Sequence, residues 1–282
     1  MTQKSYGLLK GKNGIVFGAL VESSIGWMIA QAIDREGGKM VLTNAPVTKR
    51  FGDLERLAAE TDGSPIIYVD ATSQDDLTAL FESAVEHFGG RLDFIVHSIG
   101  MGVNLRKGKK YTELNYDWYH KTLDVSAVSL HRLITVALDL DALAKGSSIV
   151  TMTFIGAQRV FSKYSEMGDA KALLESIVRS YGYRLGSKGI RINSISQSPT
   201  PTTAGMGIAG FDAMFAFADQ LSPLGNASGE SCADYTVSLL SDFSRAVTMQ
   251  NLYNDGGFST MGMAKSTVEL LMNVKIDDIE DD

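Results

Sequence analysis

The chain has 282 residues, 44% of them hydrophobic and 21% charged, which is ordinary for a globular protein and enough for one large domain. Its net charge of −7 and its acidic end, KIDDIEDD at 275–282, disfavour nucleic acid as the main partner. The chain has one cysteine, Cys232, four scattered histidines, no signal-peptide core and no apolar run of membrane-spanning length. We therefore expect no disulfide framework, no metal site and no membrane span, and a cytoplasmic location.

Short apolar runs alternate with longer amphipathic stretches along the whole chain. Strands are predicted at 14–18, 39–43, 65–70, 92–98, 147–154, 190–196 and 249–257, and helices at 25–35, 52–60, 74–87, 117–144, 164–185 and 228–240. Continuously apolar strands joined by helices are typical of a parallel sheet that is buried on both faces. We expect one α/β domain over 1–282, a Rossmann-like doubly wound sheet of about seven parallel strands with ligands beyond their carboxyl ends.

The turn after the first predicted strand, GALVESSIG at 18–26, carries small residues where a pyrophosphate would approach the backbone and a helix N-terminus. The usual G-x-G-x-x-G spacing is not met, because seven residues separate Gly18 from Gly26. Ser23 or Ser24 is expected to cap the following helix. Taken alone, this turn is equally well explained as an ordinary strand–helix connection.

The next strand ends carry weaker signals. Asp70, after the third predicted strand, suits an adenine amino group as acceptor but also suits a helix cap. HSIGMG at 97–102 places small residues where a ribose would pass. The second predicted strand ends in TNA at 43–45, with no acidic residue for a ribose 2′-hydroxyl and no adjacent arginine for a 2′-phosphate. The nicotinamide preference is therefore left open.

The segment after the sixth predicted strand is rich in glycine, methionine and phenylalanine. Prolines and threonines are followed by Gly205, Gly207 and Gly210 within an apolar stretch. This pattern predicts a mobile lid over an apolar substrate at about 199–218, the alternative being a core-packing loop with a short helix. The acidic tail at about 265–282 is expected to be flexible.

Tyr164 and Lys171 lie seven positions apart in YSEMGDAK, at the predicted start of a long helix. Seven residues make about two helical turns, so both side chains are expected on one face, roughly 10 Å apart along the axis. Because that gap is too wide for the two side chains to pair, a ligand lying along the helix is expected to contact both.

Together, GALVESSIGW, VDAT, VHSIGMG, Tyr164-x6-Lys171 and INSISQSPTPTTAG resemble the enoyl-[acyl-carrier-protein] reductase branch of the short-chain dehydrogenase/reductase superfamily. The likeness covers about residues 7–263. The wider superfamily uses Tyr-x3-Lys, and position 168 is glycine here, so the wider spacing is the specific part of the match. The resemblance implies an enzyme of fatty acid biosynthesis that reduces trans-2-enoyl thioesters with NADH, NADPH not being excluded.

The resemblance also implies roles for single residues. Tyr164 would hydrogen-bond the thioester oxygen as an enolate forms, and Lys171 would hold the nicotinamide ribose. Phe154 stands where many members carry a second tyrosine, which leaves Tyr164 as the candidate phenol. The implied cofactor contacts are Gly18, Ser24, Ile25, Asp70, Ala71, Ser98, Ile99, Gly100, Lys171, Thr200, Thr202 and Ala204. The implied substrate contacts are Gly102, Phe154, Tyr164 and Met206.

The implied partner is an enoyl thioester on acyl carrier protein, a strongly acidic protein that needs a local cationic surface on an acidic reductase. RKGKK at 106–110 follows the fourth predicted strand, although a charge run is more often a solvated loop. The family is commonly a homotetramer. The segment NLYNDGGFSTMGM at 251–263 suits either an interface or ordinary core.

Two other functions compete with enoyl reduction. A short-chain ketone/alcohol dehydrogenase would need Tyr-x3-Lys and a serine about a dozen residues before the tyrosine, where this chain has Met152 and Thr153. A non-catalytic dinucleotide-sensing protein has no need for a phenol beside the nicotinamide, so Tyr164 and Lys171 argue against that function.

Overall fold

The computed structural model describes residues 4–208 and 210–272, which form a parallel sheet with helices on both faces. The strands are β1 (Asn13–Phe17), β2 (Lys39–Thr43), β3 (Leu92–His97), β4 (Leu143–Thr153), β5 (Arg191–Gln197) and β6 (Asn251–Asn254), in the spatial order β2-β1-β3-β4-β5-β6. Every neighbouring pair is parallel. The order reverses direction between β1 and β3, as in a doubly wound Rossmann-like fold.

The helices connect successive strands and cover the sheet. Their bounds are α1 (Ile25–Arg35), α2 (Leu54–Ala58), α3 (Gln74–Phe88), α4 (Val103–Arg106), α5 (Tyr116–Leu123), α6 (Ser129–Asp139), α7 (Glu166–Gly186), α8 (Thr203–Met206), α9 (Phe211–Leu221), α10 (Gly229–Leu240) and α11 (Lys265–Met272). None of the helices in the described part of the chain is long and apolar enough to cross a membrane.

The two sides of the sheet bury separate apolar layers. Alternate β1 residues point to opposite sides, since Ile15 packs with α3, α6 and α7 while Val16 packs with α1 and α10. Trp27 of α1 and Val237 of α10 belong to the second layer, and both are almost fully buried. Burial on both faces explains why the strands are apolar without alternation.

In the described residues the sheet has six strands, which agrees with the expected parallel sheet of about seven apart from one strand. The segment at 65–70 lies beside β2 as an edge and forms only an isolated parallel bridge. Leu42 donates its N–H to the carbonyl oxygen of Pro65 at 2.9 Å and accepts from the N–H of Ile67 at 3.0 Å. A segment that opens with proline lacks one ladder donor, and such segments are confined to sheet edges.

The helix predicted over 117–144 ends earlier. It consists of α5, a π-helical turn (Asp124–Val128) and α6, and β4 already begins at Leu143. Asp141 adopts φ +49° after α6, and the N–H of Ala142 donates to the carbonyl oxygen of Ala137 at 2.9 Å. This is the left-handed helix termination that glycine usually provides, and an aspartate in its place gives a weak sequence signal.

The predicted lid at 199–218 contains α8 and most of α9. The predicted tail begins as α11, where the Ser266 hydroxyl donates to the carbonyl oxygen of Gln220 in α9 at 3.4 Å. Residues 273–282, the rest of that tail, lie outside the described residues.

Candidate active site

The turn after β1 is shaped by two close backbone approaches. Gly18 adopts φ +93°, and a Cβ there would lie 2.0 Å from the carbonyl oxygen of Ser98. Gly26, in the first turn of α1, comes so near that a Cβ would lie 2.7 Å from the Gly18 carbonyl carbon. Because only glycine fits at Gly18, the first turn can pass directly against the end of β3 and bring the start of α1 with it.

The N-terminus of α1 has no side-chain cap, although Ser24 occupies the capping position. The Ser24 hydroxyl accepts instead from the N–H of Val21 at 3.0 Å, within the preceding turn. In the described part of the chain, no group accepts a hydrogen bond from the N–H of Ile25 or Gly26. The start of this 11-residue helix therefore offers free donors and the positive end of a helix dipole, which suit a phosphate.

Asp70 shapes a turn and does not cap α3. Its Oδ1 accepts from the backbone N–H and the hydroxyl of Thr72, at 2.8 and 2.7 Å, while Ser73 caps the helix. A cleft of about 470 Å³ opens beside Asp70 and Thr72, with His120 and Lys121 on its other wall. The exposed carboxylate keeps Oδ2 available toward solvent.

Asn44, at the end of β2, points back to the first turn. Its amide donates to the carbonyl oxygen of Ala19 at 2.8 Å, and its Oδ1 accepts from the N–H of Ala45, also at 2.8 Å. Asn44 therefore braces the turn that follows β1.

Lys171 lies buried on α7 beneath the segment that follows β3. Its Nζ donates to the carbonyl oxygen of Met152 at 2.8 Å, and a Cβ at Gly100 would lie 3.8 Å from Nζ. Burial lowers the pKa of Lys171 to about 8, while the charge of Glu175 acts in the opposite direction. The ammonium therefore lies close to Gly100, in the segment at 97–102 that was predicted to pass a ribose.

Glu175, one turn after Lys171, is a buried carboxylate that the sequence reading missed. Its Oε1 accepts from the Thr153 hydroxyl at 3.0 Å and from the Asn251 amide at 3.2 Å, and Oε2 accepts from Gln158 at 2.9 Å. It links α7 to the end of β4 and the start of β6. The four-residue spacing from Lys171 was the available signal, because oppositely charged residues at that spacing share a helix face.

His97, at the end of β3, is also fully buried. Its Nδ1 lies 2.9 Å from the Thr151 hydroxyl and its Nε2 lies 2.9 Å from the Ser129 hydroxyl. Burial, followed by the nearby charge of Lys171, lowers the pKa of His97 to about 3. The imidazole is therefore neutral near pH 7 and links β3, β4 and α6 as a structural brace.

Tyr164 does not lie on the long helix, so the expectation of two side chains on one helical face was wrong. Helix α7 begins at Glu166, and Ser165 before it adopts φ +47° and ψ −138°. This left-handed residue breaks the helical path between Tyr164 and Lys171, so their separation does not follow from the helical repeat.

The ring of Tyr164 is held by packing. It meets Phe154 edge to face, with centroids 4.9 Å apart, and a Cβ at Gly156 would lie 2.7 Å from its Cδ1. In the described residues no group hydrogen-bonds to its hydroxyl. Burial raises the pKa of Tyr164, so the phenol stays protonated and remains available as a donor.

The predicted substrate residues converge only in part. Phe154 and Tyr164 share one apolar cluster with Leu105 and Met167, and a Cβ at Gly102 would lie 2.9 Å from Met167 Cγ. Met206, by contrast, is 60% exposed on α8 and does not belong to that cluster. Further members of the cluster are Ile155, Ala218, Leu221 and Phe258, with Phe161, Ile208 and Met214 packed against them.

The lid threonines have different local roles. Thr202 caps α8 by accepting from the N–H of Gly205 at 3.0 Å, which leaves its own hydroxyl proton free to donate. Thr200 donates to the carbonyl oxygen of Ser198 at 2.9 Å and accepts from Gln197 at 3.2 Å. Most of the predicted cofactor residues follow a strand or begin the next helix at the carboxyl end of the sheet, namely Gly18, Ser24, Ile25, Ser98, Ile99, Gly100, Thr200, Thr202 and Ala204. Asp70 and Ala71 follow the edge segment at 65–70, which forms only an isolated bridge.

The sequence matches known proteins over most of its length. The model of a family described as enoyl-(acyl carrier protein) reductase matches residues 18–259. The chain is 35% identical to enoyl-[acyl-carrier-protein] reductase [NADH] 1 of Rhizobium meliloti (strain 1021), with 93% of this chain and 95% of that protein covered. This chain belongs to the enoyl-(acyl carrier protein) reductase family. The family resemblance drawn from the motifs is confirmed.

Two further members of the enoyl reductase family resemble this chain, one in sequence and the other in both sequence and fold. The chain is 33% identical to the NADH-type enoyl-[acyl-carrier-protein] reductase FabI of Aquifex aeolicus (strain VF5), over 91% of this chain and 94% of that protein. It superposes on the crystal structure of a FabI–NADH complex from Alistipes finegoldii with a TM-score of 0.91 and 53% identity, 92% of each chain being covered. The likeness therefore extends to the whole Rossmann-like domain.

Proposed function

We propose that this protein reduces the carbon–carbon double bond of trans-2-enoyl thioesters carried by acyl carrier protein, with NADH as hydride donor, in fatty acid biosynthesis. One observation carries the proposal. Met167 lies between the two halves of the site: a Cβ at Gly100 would lie 3.7 Å from its Cε and 3.8 Å from Lys171 Nζ, while its Cγ faces Gly102. The dinucleotide edge thus adjoins the cluster that holds Tyr164.

The groups present suit a dinucleotide. The free N–H groups of Ile25 and Gly26 would bind the pyrophosphate, and Gly18 lets the turn lie close enough to receive it. Lys171 would donate to the ribose hydroxyls, and its positive charge would favour a negative charge developing nearby. Bound NADH supplies the hydride.

Tyr164 supports the chemical step. A hydride added at the β-carbon of the enoyl thioester leaves negative charge on the thioester oxygen as an enolate. A protonated phenol stabilises that oxygen more than it stabilises the ground-state carbonyl, which is the condition for catalysis. A proton that comes from the solvent then adds at the α-carbon and completes the saturated thioester. The apolar cluster around Tyr164 excludes water and suits an acyl chain.

The assay that tests this function follows the loss of reduced-cofactor absorbance. Crotonyl thioester is the substrate, NADH and NADPH are compared side by side, and acetoacetyl thioester is the carbonyl control. We expect oxidation with crotonyl thioester and faster turnover with NADH. Oxidation with the acetoacetyl thioester alone would assign a ketone reductase. Cofactor binding without turnover on either substrate would assign a dinucleotide sensor.

We also propose that the protein acts as a homotetramer in the reducing cytoplasm. Tyr183 and Phe243 are each 79% exposed, so both rings would be available for contacts with other copies. The segment at 251–263 contributes Phe258 to the buried site cluster, while its Met263 is 74% exposed and would be available for contact with another copy. Light scattering coupled to size exclusion should give a mass four times that of the chain, and a monomeric mass would reject this state.

A further inference from the structure

Residues 106–110, RKGKK, form what we call the basic loop. Its four cations, Arg106, Lys107, Lys109 and Lys110, are all exposed. No acidic residue occurs between Asp93 and Glu113, although the whole chain has a net charge of −7. The basic loop is therefore a local cationic surface on an acidic protein.

The basic loop is held in shape by a buried amide. Asn104 is fully buried, donates its Nδ2–H to the carbonyl oxygen of Asn115 at 3.0 Å, and accepts from the N–H of Asn115 at 2.9 Å. The carbonyl oxygen of Asn104 also accepts from the N–H of Lys109 at 3.1 Å. These bonds close the loop at its base, which distinguishes it from an unsupported run of charge.

The same loop is fixed to the helix that carries Lys171. The hydroxyl of Tyr111 donates to Asp169 Oδ2 on α7 at 3.0 Å. On the other side of the loop, the N–H of Leu105 donates to Oε1 of the buried Glu166 at 3.1 Å, and Leu105 belongs to the apolar cluster of Tyr164. The cations therefore project from a segment whose base forms part of the substrate site.

Most of their charge has no ion-pair partner in the part of the chain that the structure describes. Over residues 4–208 and 210–272, no carboxylate forms a salt bridge with Arg106, Lys107 or Lys109. Lys110 pairs with Glu113 at 3.3 Å, and both of these side chains are well exposed. Exposed pairs of this kind are weak and yield readily to a partner with several carboxylates.

We propose that the basic loop is the docking surface for the acidic carrier protein that delivers the enoyl thioester, an inference that rests on the proposed function. Complementary charge raises the rate of encounter and fixes the orientation of the partner. Because the hydrogen bonds of Asn104 and Tyr111 already hold the basic loop in one conformation, it loses little conformational freedom on binding. Docking at this point brings the thioester arm to Gly102, where the loop joins the site.

The test compares two charge-reversal pairs of equal size. Lys107→Glu/Lys109→Glu alters the basic loop. Lys145→Glu/Lys188→Glu is the control, because Lys145 lies at the start of β4 and Lys188 follows α7, both exposed at the opposite edge of the sheet. Each enzyme is assayed with the same enoyl group on acyl carrier protein, on coenzyme A and on N-acetylcysteamine, over a series of salt concentrations.

We expect the loop variant to raise KM for the carrier-bound substrate roughly tenfold at low salt, an effect that fades as salt screens the charges. Its kcat, and its kcat/KM with the other two thioesters, should match those of the control variant. An unchanged KM for the carrier-bound substrate would overturn the proposal. If kcat/KM falls equally with the coenzyme A thioester, the cations bind the pantetheine phosphate and not the carrier protein. If it falls equally with the N-acetylcysteamine thioester, the cations act by maintaining the shape of the site. A failure of the proposed function would differ from all of these, since the wild-type enzyme would then reduce none of the three thioesters.

Discussion

The two halves of the proposed site, one for the dinucleotide and one for the substrate, are shaped by different parts of the chain. In the dinucleotide half, the backbone sets the geometry, through Gly18 against Ser98 and the uncapped start of α1. In the substrate half, side chains set it, through the ring of Tyr164 on Phe154. Substitutions in the first half should therefore act on folding and cofactor affinity together, while substitutions in the second should act on turnover.

The largest difference between an effect on turnover and an effect on cofactor affinity is expected from Tyr164→Phe. Removing the hydroxyl that we propose stabilises the enolate should lower kcat by about 10²–10³-fold, because that is the usual effect of losing one such donor. The dissociation constant for NADH, measured by fluorescence titration, should stay within about twofold, since the proposed dinucleotide contacts lie at other residues.

A matched control lies on α7. Tyr181 is also buried, and its hydroxyl lies 2.8 Å from the Thr135 hydroxyl on α6, at the opposite end of the helix from Tyr164. Tyr181→Phe should keep full turnover. Equal activity in the Tyr164→Phe enzyme would reject the role given to the phenol.

The dinucleotide half is tested by Gly18→Ala. A Cβ at Gly18 both strains a residue at φ +93° and meets the carbonyl oxygen of Ser98 at 2.0 Å. We expect a loss of about 3 kcal/mol in the free energy of unfolding and a large loss of NADH affinity. Urea denaturation followed by circular dichroism measures the first.

The variant Gly63→Ala measures the cost of backbone strain without a steric conflict. Gly63 has φ +70°, but a Cβ there would have open space around it. We expect this variant to lose only about 1 kcal/mol. Similar losses at the two positions would mean that the close approach of Gly18 to Ser98 is of little importance.

Glu175 connects the two halves through the charge of Lys171. Because the Glu175 carboxylate raises the pKa of Lys171 against the effect of burial, Glu175→Gln should lower that pKa below about 8. NADH affinity of the wild-type enzyme should fall as the pH rises through about 8, where the ammonium loses its proton. In the variant the fall should begin at a lower pH.

The titratable groups His97 and Tyr164 do not change charge over the pH interval in which Lys171 titrates. His97 has a pKa of about 3 and the pKa of Tyr164 is raised, so both stay uncharged over this interval. Glu175→Asp keeps the charge and should hold the midpoint near that of the wild type. A loss of affinity of equal size at every pH would mean that Glu175 acts only through its hydrogen bonds.

The smallest effect is expected at Ser165. Its φ of +47° is unfavourable for serine and favourable for glycine. Ser165→Gly should therefore raise the free energy of unfolding by about 1 kcal/mol in denaturant titration. Ser165→Ala keeps the strain, so a similar gain in that variant would contradict the explanation.

Features that depend on neighbouring residues in the sequence could be predicted. Helix α1 begins and ends where its amphipathic period placed it, at Ile25 and Arg35, and Gly18 and Gly26 marked the turn that precedes it. The Tyr164-x6-Lys171 spacing identified the family, although its helical interpretation was wrong. Spacing alone does not reveal that Ser165 interrupts the helix, because a left-handed serine has no sequence signature.

The rest depends on contacts between distant segments. The position of Tyr164 is fixed by Phe154 and Gly156, and Glu175 joins Thr153 at the end of β4 to Asn251 at the start of β6. His97 looked like part of a small-residue ribose loop, and only the structure shows its two hydroxyl partners. Such pairings become visible once the topology brings the segments together, so no period or motif could reveal them.

The most direct test of the account follows the hydride itself. The enzyme is supplied with NADH deuterated at both C4 positions and with crotonyl thioester, and the product is examined by NMR. The account predicts butyryl thioester with one deuterium at the β-carbon and none at the α-carbon. Deuterium at the α-carbon, or recovery of crotonyl thioester without any deuterated product, would contradict enoyl reduction by hydride transfer to the β-carbon.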